Sequence, residues 1–447
     1  MPIPYLPRMT QADRTRQLAA LDHAHVWHPF TPMRQWREAE PVIIVRGEGP
    51  YLFDTRGNRY IDGYSSWWCN VHGHRVPAID DAIRAQLDKV AHTTLGGLAS
   101  PPSIELAARL AQLTGLPKVF YSDSGSTAVE IACKMAVGYW FHRGCPQKHR
   151  FISMRGNYHG DTTGSMSVGY SETFYKPFRP MLFDVDWFEP HDLAELRALL
   201  ERGAERTAAI ILEPVMQAAA GMIPQPPGFV RAVADLARQY DTLLIADEVA
   251  TGFGRTGEMF ACQHDRVTPD IMCLGKGITG GYLPLAATLC TDEIEQAFQG
   301  ELAERKTLYH GHTYTGNALA CAAALASLDL FEISNLKSPL LDHIRQSAVI
   351  LAARLEPLRN HPHVRDIRHR GIMAGIEMAP IEPLAASRTP PATSNAASLC
   401  SAMRPKGLLL RPLGNVIVLM PIPVIPHDIL HHMLDIVVET IFGLTLP

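Results

Sequence analysis

The sequence lacks the features that mark membrane-spanning and nucleic-acid-binding proteins. Its 447 residues contain no uninterrupted apolar run of the roughly 18 residues that span a bilayer. Basic and acidic residues nearly balance, with 41 Lys and Arg against 45 Asp and Glu, so no excess charge would attract nucleic acid or an anionic membrane. The first ten residues contain three prolines and no apolar core of a secretory signal. We therefore expect neither nucleic acid nor a membrane as a partner.

Cysteine is also scarce, with eight residues and no C-x-x-C pair. Several lie inside apolar runs, as Cys273 does in Ile271–Leu274. This pattern favours reduced, buried thiols in a cytoplasmic protein over disulfides or a zinc site. Two groups of histidines, at positions 23 to 28 and 72 to 74, have no cysteine or carboxylate at ligand spacing. We therefore expect no metal site.

Short, fully apolar segments alternate with helical patterns in the middle of the chain, and this indicates an α/β fold. The clearest predicted strands are Ala208–Leu212, Leu243–Ala246, Ile271–Leu274 and Leu285–Leu289. Such strands belong in a largely parallel or mixed sheet that is covered on both faces. We predict a large domain over residues 63–332 and a smaller α+β domain over residues 333–447. Residues 1–62, with short strands and turns, are predicted to pack as part of the smaller domain.

The C-terminal part has its own predicted elements. Strands are expected at Gly371–Glu377 and Val416–Met420, and a last helix from about His427. The segment Ala379–Ser394 is rich in Pro, Ala and Ser, which predicts a surface loop.

A polar segment precedes a long helical pattern. Tyr121–Thr127 leads into a proline-free stretch from Ala128 to about Phe141. Backbone N–H groups at a helix start, with Ser and Thr hydroxyls beside them, can bind an anion such as phosphate. A simple N-terminal cap explains the same residues, and this alternative stays open from the pattern alone.

Two charged residues lie just beyond buried strands. Asp247 ends the apolar run that starts at Leu243, and Lys276 stands between two glycines after Ile271–Leu274. Ligands of α/β sheets bind at such strand ends. A buried carboxylate needs a partner, for which a pyridinium nitrogen is suitable, and a desolvated lysine has the lowered pKa of an amine nucleophile. Asp247 could instead cap the turn that follows its strand.

Two glycine-flanked segments complete the pattern. Tyr158, within Gly156–Asp161, is suited to stacking on a planar ring. Gly252–Gly257 fits the G-x-G-x-x-G pattern of dinucleotide-binding proteins. However, four residues separate its first glycine from the preceding strand, and the stretch from Glu258 is a poor start for a helix. We therefore reject a nicotinamide cofactor.

The segment Asp247–Gly257 followed by Gly275–Gly277 closely resembles the signature of class III, fold-type I aminotransferases that depend on pyridoxal 5′-phosphate (PLP). The resemblance extends from about Trp27 to Pro421. It implies a fold-type I architecture with catalytic roles for Lys276, Asp247 and Tyr158. The resemblance implies that Gly125, Ser126 and Thr127 bind the cofactor phosphate. Tyr158 would stack on one face of the ring and Val249 would cover the other. Asp247 would pair with the pyridine nitrogen, and Lys276 would form the Schiff base.

The resemblance also implies a homodimer with active sites shared at the interface. In that arrangement the segment from Gly311 to Thr313 reaches the active site of the other subunit. His312 and Thr313 would contact the cofactor, and Gly311 would contact the substrate.

Smaller motifs point to one branch of the class, which serves biotin biosynthesis. These motifs are Trp27–Thr31, Ser65–Trp68, Asp123–Ser126, Tyr158–Asp161, Ala250 and Arg411-Pro412. The branch implies amination of the ketone of 8-amino-7-oxononanoate to give 7,8-diaminononanoate, with S-adenosylmethionine as amino donor. The implied substrate-binding residues are Phe30, Trp67, Tyr158, Lys276, Gly311 and Arg411.

Two of these roles have a physical basis. An aromatic wall at Trp67 would bury the methylenes of the substrate at about 0.8 kcal/mol each, and the Arg411 fork would bind its carboxylate. From the residues alone, core packing is the favoured interpretation of Trp67, and a surface ion pair is the favoured interpretation of Arg411.

The sequence departs from the branch at Phe30, where users of S-adenosylmethionine have Tyr, and at His312, where they have Pro. The stretches His310–Asn317 and Gly277–Pro284 resemble relatives that take lysine as donor, so lysine is the alternative. Gln217–Gly221 replaces a more glycine-rich stretch without a consequence that we can derive.

Other class III reactions stay open as well. An ω-amino-acid aminotransferase would need a second carboxylate clamp, and an aminomutase would need no external donor. A non-catalytic PLP-binding regulator would show an appended DNA-binding module.

Overall fold

The chain is described by a computed structural model that covers residues 10–172, 174–332, 338–379 and 395–444. Its helices are α1 (Gln11–His25), α2 (Met33–Glu38), α3 (Ser65–Trp68), α4 (Pro77–Leu87), α5 (Pro101–Thr114), α6 (Gly125–His142), α7 (Thr163–Val168), α8 (Leu193–Gly203), α9 (Phe229–Gln239), α10 (Asp292–Ala297), α11 (Ala318–Asp329), α12 (Pro339–Leu355), α13 (Asn395–Met403) and α14 (His427–Phe442). Short 3-10 helices lie at Lys176–Met181, Ala204–Arg206, Ala261–Asp265, Lys276–Thr279, Leu302–Glu304, Glu356–Asn360 and Arg404–Lys406.

The strands form one large sheet and three smaller ones. They are β1 (Ile44–Glu48), β2 (Tyr51–Asp54), β3 (Arg59–Asp62), β4 (Lys118–Ser122), β5 (Arg150–Met154), β6 (Val185–Phe188), β7 (Thr207–Leu212), β8 (Met216–Gln217), β9 (Ile223–Pro224), β10 (Leu243–Asp247), β11 (Ile271–Leu274), β12 (Ala286–Cys290), β13 (Val364–Arg370), β14 (Met373–Met378), β15 (Leu408–Leu409), β16 (Arg411–Leu413) and β17 (Val416–Leu419).

The large sheet has the order β4-β12-β11-β10-β7-β5-β6. Every residue of β7, β10, β11 and β12 is buried, because helices cover both faces, and this explains why these strands are continuous apolar runs. The α/β prediction is confirmed; the predicted strand Ile271–Leu274 has the observed bounds, and the other three differ from the observed bounds by one residue at one or both ends.

The large sheet is not fully parallel. β12 runs antiparallel to both of its neighbours, β11 and β4. The connection from Leu274 to Ala286 contains a short 3-10 helix and no α-helix, so it does not make the helical crossover that joins parallel strands. The sheet is therefore mixed.

Helix α6 begins three residues earlier than predicted, at Gly125. The Ser124 hydroxyl accepts a hydrogen bond from the Thr127 amide at 3.3 Å, and the Thr127 hydroxyl lies 3.1 Å from the Ser124 amide, from which it accepts a hydrogen bond. This reciprocal capping box satisfies backbone donors and extends the helix toward the strand end. As a result, the first turn of α6 lies beside the ends of β10 and β11.

The two ends of the chain meet in one small sheet. Its order is β1-β2-β3-β15, and Ile61 and Asp62 pair in parallel with Leu408 and Leu409. A second sheet, β13-β14-β17-β16, contains the predicted C-terminal strands, and α14 packs on α12. The predicted loop Ala379–Ser394 lies outside the described residues, except for Ala379. The proposed domain boundaries after residues 62 and 332 stay predictions.

Two further features concern the chain as a whole. All eight cysteines lie in described segments and are free thiols, six of them buried. In the parts of the chain that the structure covers, no helix combines the length and the apolar character needed to cross a bilayer.

Candidate active site

A cavity of about 440 Å³ opens where β10 and β11 end and α6 begins. Asp247, the last residue of β10, pairs in register with Cys273 of β11, three residues before Lys276. The cavity is lined by Asp247 and Lys276 together with Gly125, Ser126 and Tyr158. Trp68 also lines the cavity, so the fold brings together residues that are up to 208 positions apart, from Trp68 to Lys276.

The Lys276 side chain is partly exposed to this cavity, and its amine lies deep among protein atoms. Its Nζ lies 5.4 Å from the centre of the Trp68 ring, and no acceptor among the described residues lies within hydrogen-bonding distance. Burial lowers the pKa of this amine, although the Asp247 and Glu213 carboxylates act in the opposite direction. A buried lysine without a hydrogen-bonded partner has the properties of an amine nucleophile or a proton acceptor.

Asp247 is buried and held at both oxygens. The ring of His159 donates from Nδ1 to Oδ2 at 2.7 Å, and the Val249 amide donates to Oδ1 at 3.0 Å. The Nε2 atom of His159 is buried without a partner within the described part of the chain. His159 lies within the motif Gly156–Asp161, but only its neighbour Tyr158 was predicted to have a role, because an aromatic ring beside glycines suggests stacking.

Tyr158 is held by two different acids. Its backbone amide donates to Glu213 at 2.9 Å, and its hydroxyl donates to Asp161 at 2.8 Å. Burial, with the hydrogen bond to Asp161, raises the pKa of Tyr158, so its phenol stays protonated at neutral pH. The ring lines the cavity together with Val249.

Glu213 is a buried acid that the sequence analysis missed. It accepts from the amides of Tyr158 and Ala218, and burial, together with the nearby Asp247, raises its pKa to about 7. It directly follows β7, so it carries the same signal as Asp247: an acid at the end of a buried strand.

The start of α6 offers backbone donors to the cavity. The amides of Thr127 and Ala128 donate to the side chain and the carbonyl of Ser124, whereas the amides of Gly125 and Ser126 have no acceptor among the described residues. The absence of a Cβ on Gly125 allows close packing, because that atom would lie 2.4 Å from Cγ1 of Val249.

The two hydroxyls of this turn point in different directions. Ser126 lines the cavity, and its Oγ lies 2.6 Å from the Ser165 Oγ. The Thr127 hydroxyl instead donates to Asp123 at 2.8 Å. The structure therefore places Gly125 and Ser126 at the cavity and directs the Thr127 side chain away into the capping box.

An aromatic and cationic group lies next to the cavity. The guanidinium carbon of Arg411 stands 3.9 Å from the centre of the Trp67 ring, and Nη2 donates to the carbonyl of Phe30 at 3.3 Å. The Phe30 ring lies 5.8 Å from Trp67 and 5.6 Å from Phe174. No carboxylate in the described segments lies within 4.0 Å of Arg411, so the surface ion pair weighed from the sequence has no partner there.

The segment Gly311–Thr313 lies apart from Lys276 of its own chain. These residues line a separate cavity of about 860 Å³, together with Thr94 and Tyr121. In its own chain the segment is therefore not part of the cavity that contains Lys276.

The glycine-rich segment Gly252–Gly257 is a series of turns, followed only by the short 3-10 helix Ala261–Asp265. Arg255, within it, is 1% exposed and donates to the carbonyls of Asn70 and Pro421, both at 2.8 Å. Because no α-helix starts here, the segment does not form a dinucleotide site. Among the described residues, no group of three or more His, Cys, Asp or Glu side chains is placed to hold a metal ion.

Comparison with known proteins gives this arrangement a family. The model of the family described as "Aminotransferase class-III" matches residues 33–441. The chain belongs to the class III aminotransferases.

Two curated relatives carry the same name. A protein from Nitratidesulfovibrio vulgaris named adenosylmethionine-8-amino-7-oxononanoate aminotransferase is 48% identical, over 97% of this chain and 82% of the relative. A protein of the same name from Geobacter sulfurreducens is 45% identical, over 96% of this chain and 98% of the relative.

Solved structures of class III enzymes share the whole fold. The adenosylmethionine-8-amino-7-oxononanoate aminotransferase of Methanocaldococcus jannaschii superposes with a TM-score of 0.91 at 44% identity, covering 96% of this chain and all of that chain. An amine transaminase from an uncultivated Pseudomonas species, solved in its PLP-bound form, gives a TM-score of 0.85 at 32% identity, over 93% and 98% of the two chains.

Proposed function

We propose that this class III aminotransferase uses PLP to convert 8-amino-7-oxononanoate to 7,8-diaminononanoate, with S-adenosylmethionine as amino donor. The observation that carries the proposal is the buried Lys276 amine without a hydrogen-bonded partner, facing a cavity that also contains Asp247 and the start of α6. The names of the relatives support the substrate and the donor.

The residues of the cavity fit PLP. The amides of Gly125 and Ser126, which are without acceptors among the described residues, suit a phosphate at a helix N-terminus. The Asp247 carboxylate suits a protonated pyridine nitrogen, and the Lys276 amine suits covalent attachment of the aldehyde. Tyr158 and Val249 line the same space and would cover the two faces of the ring. Thr127 would support the phosphate site indirectly through the capping box, since its amide donates to Ser124 and its hydroxyl to Asp123.

When bound, PLP supplies an electron-accepting ring that stabilises negative charge on the carbon next to the amino nitrogen. The protein has three tasks around it. The Nζ of Lys276, whose pKa burial lowers, accepts the proton that leaves the nitrogen-bearing carbon of the donor and later returns it. Asp247, held by His159, would place its carboxylate beside the pyridine nitrogen and stabilise the protonated ring. Tyr158 keeps its phenolic proton and fixes the plane of the site.

Trp67, Phe30 and Arg411 would bind the keto substrate. The two rings form an apolar wall for the methylene chain, and the Arg411 guanidinium is free of carboxylates among the described residues and available to the substrate carboxylate. Stacking on Trp67 keeps the guanidinium plane in one orientation, which favours bidentate binding.

We also propose that the active unit is a cytoplasmic homodimer. Gly311, His312 and Thr313 lie away from Lys276 of their own chain. In a dimer they would complete the site of the other subunit, His312 and Thr313 at the cofactor and Gly311 at the substrate. Sedimentation of the cofactor-loaded protein tests this, since a monomer with full activity would contradict it.

The experiment that tests the proposed function separates the two half-reactions. The PLP-loaded protein is mixed with S-adenosylmethionine or with lysine, and the change in cofactor absorbance is followed. We expect a change with S-adenosylmethionine. Adding 8-amino-7-oxononanoate should then restore the starting spectrum and release 7,8-diaminononanoate, detected by mass spectrometry.

Each other outcome has a distinct meaning. A change with lysine alone would reject S-adenosylmethionine as donor but keep the reaction. A protein that either donor converts, but that then fails to aminate 8-amino-7-oxononanoate, would reject the proposed substrate.

A further inference from the structure

The segment Ser65–Trp68 forms a left-handed turn. All four of its residues have positive φ angles, from 48° to 72°, and none of them is glycine. The Trp68 amide donates to the Tyr64 carbonyl at 2.9 Å, and the Cys69 amide donates to the Ser65 carbonyl at 3.0 Å. L-residues adopt this conformation singly and at a cost, so four in a row persist only when the surroundings enforce them.

The turn holds two aromatic rings that border the site. Trp67 lies against the Arg411 guanidinium, 3.9 Å from ring centre to carbon, and Trp68 lies 5.4 Å from the Lys276 amine. Because neighbouring residues of one turn carry both rings, a change in the handedness of the turn would move both rings at once. The geometry of the site therefore depends on what holds the turn.

Asp62 holds the turn from one side. Its carboxylate, with no exposed surface, accepts from the Ser66 amide at 2.9 Å and from the Ser66 hydroxyl at 2.7 Å. It also accepts from Nε2 of His74 at 3.0 Å. Asp62 ends β3, where its backbone pairs with Leu409 of β15, so the carboxylate is anchored in a sheet.

Arg255 holds the turn from the other side. Its guanidinium donates to the Ser65 hydroxyl at 3.1 Å and to the Asn70 carbonyl at 2.8 Å. The Ser65 hydroxyl in turn donates to the Met420 carbonyl at 2.5 Å. The turn is therefore fastened at Ser65 and Ser66, immediately before the two tryptophans.

We propose that Asp62 is a positioning residue that sets the substrate slot by keeping Ser65–Trp68 left-handed. A carboxylate suits this task because it accepts at both oxygens, whereas asparagine has one acceptor oxygen and a donor. Loss of the carboxylate releases the Ser66 amide and hydroxyl, and with them the orientation of Trp67 toward Arg411. That the slot takes the keto substrate rests on the proposed function. That Asp62 positions Trp67 and Trp68 does not.

The test compares Asp62→Ala and Asp62→Asn with Asp54→Asn. Asp54 is a matched control, since it is also buried and accepts from the amides of Arg56 and Asn58 and from the Tyr60 hydroxyl. It lies on β2, outside the Ser65–Trp68 turn. Each PLP-loaded variant is measured for its near-ultraviolet circular dichroism, its cofactor content and its KM for each substrate.

We expect Asp62→Ala to change the tryptophan circular dichroism and to raise the KM for the keto substrate about ten- to a hundredfold, the range for misplaced binding groups. Asp62→Asn should show the same changes at smaller size. Asp54→Asn should lower thermal stability without either change. If Asp62→Ala does not fold, Ser66→Ala removes one of the two bonds to Asp62 and should change the same two readouts less.

Unchanged tryptophan dichroism and unchanged KM in folded Asp62→Ala, or in Ser66→Ala where Asp62→Ala does not fold, would overturn the proposal. A wild-type protein that rejects 8-amino-7-oxononanoate would overturn the proposed function instead. In that case the dichroism of the variants still decides whether Asp62 positions the tryptophans.

Discussion

Replacing Arg411 by methionine tests the proposed clamp for the substrate carboxylate. Methionine keeps an unbranched apolar stem on Trp67 but removes every donor of the guanidinium. Arg411 is next to the Lys276 cavity without lining it. The donor carries its carboxylate on the reacting carbon, close to Lys276, whereas the keto substrate carries its carboxylate at the far end of a methylene chain. The change should therefore affect the keto substrate selectively.

The size of the effect follows from the bond that is lost. A hydrogen bond to a charged group contributes about 1.5 to 3 kcal/mol. Since about 1.4 kcal/mol corresponds to a tenfold change in binding, the KM of the keto substrate should rise about ten- to 150-fold. The KM of the donor should rise only a few fold, by the loss of the stacked cation from the wall.

The two constants are measured in separate half-reactions, so that each substrate is varied alone. Arg365→Met serves as the control, because the Arg365 side chain is 67% exposed and pairs with Glu377 on the small sheet. It should leave both constants unchanged. Equal increases for the two substrates in Arg411→Met would refute the assignment of Arg411 to the far carboxylate.

Four further changes probe the rest of the site. Lys276→Ala should abolish covalent retention of PLP after borohydride reduction, seen by intact mass, and reduce turnover at least a thousandfold (~4 kcal/mol); normal turnover would reject it as the PLP lysine. Asp247→Ala should weaken cofactor retention in dialysis and slow proton removal, seen as a larger kinetic isotope effect, and unchanged rates would mean that another acid acts. Burial raises the pKa of Glu213 to about 7 from its ordinary 4.5, so the folded state keeps a proton that the unfolded state has lost, and stability should fall as pH rises across this interval. Urea unfolding of Glu213→Gln should lack this decline, and an identical pH profile in both proteins would contradict it. Phe30→Tyr should favour S-adenosylmethionine over lysine as donor, and an unchanged preference would remove the missing hydroxyl as the cause.

The strands around the site could be predicted from the sequence because their signal is local. β7, β10 and β11 are buried on both faces, and this produces continuous apolar runs that end in Leu212, Ala246 and Leu274. The direction of β12 could not be predicted in the same way, since a buried antiparallel strand has the same composition as a parallel one. Only the connection before it, which lacks an α-helix, distinguishes the two.

The partners of the site residues depend on the fold and were beyond local patterns. His159 reaches Asp247 across 88 positions, and Arg411 reaches the Phe30 carbonyl across 381 positions. Glu213 could have been proposed, since it follows a buried strand just as Asp247 does. Without a motif to select between the two acids, the pattern alone gave no reason to assign a role to Glu213.

The left-handed turn at Ser65–Trp68 illustrates a different limit. Propensity associates positive φ with glycine, asparagine and aspartate, and this segment contains none of them. The conformation is imposed by the buried contacts of Asp62 and Arg255, which come from a strand end and from the glycine-rich segment 252–257. The spacing of the glycines in this segment resembles a dinucleotide-binding motif. In the structure its Arg255 instead holds the turn that carries Trp67.

The central claim is that the chain transfers an amino group from S-adenosylmethionine to 8-amino-7-oxononanoate. The most direct measurement uses S-adenosylmethionine whose amino nitrogen is a heavy isotope, with the PLP-loaded protein and the keto substrate in unlabelled buffer. We predict that the heavy nitrogen appears in 7,8-diaminononanoate, detected by mass spectrometry, and that Lys276→Ala forms no labelled product. Absence of labelled product from a folded, PLP-loaded wild-type protein would contradict the account.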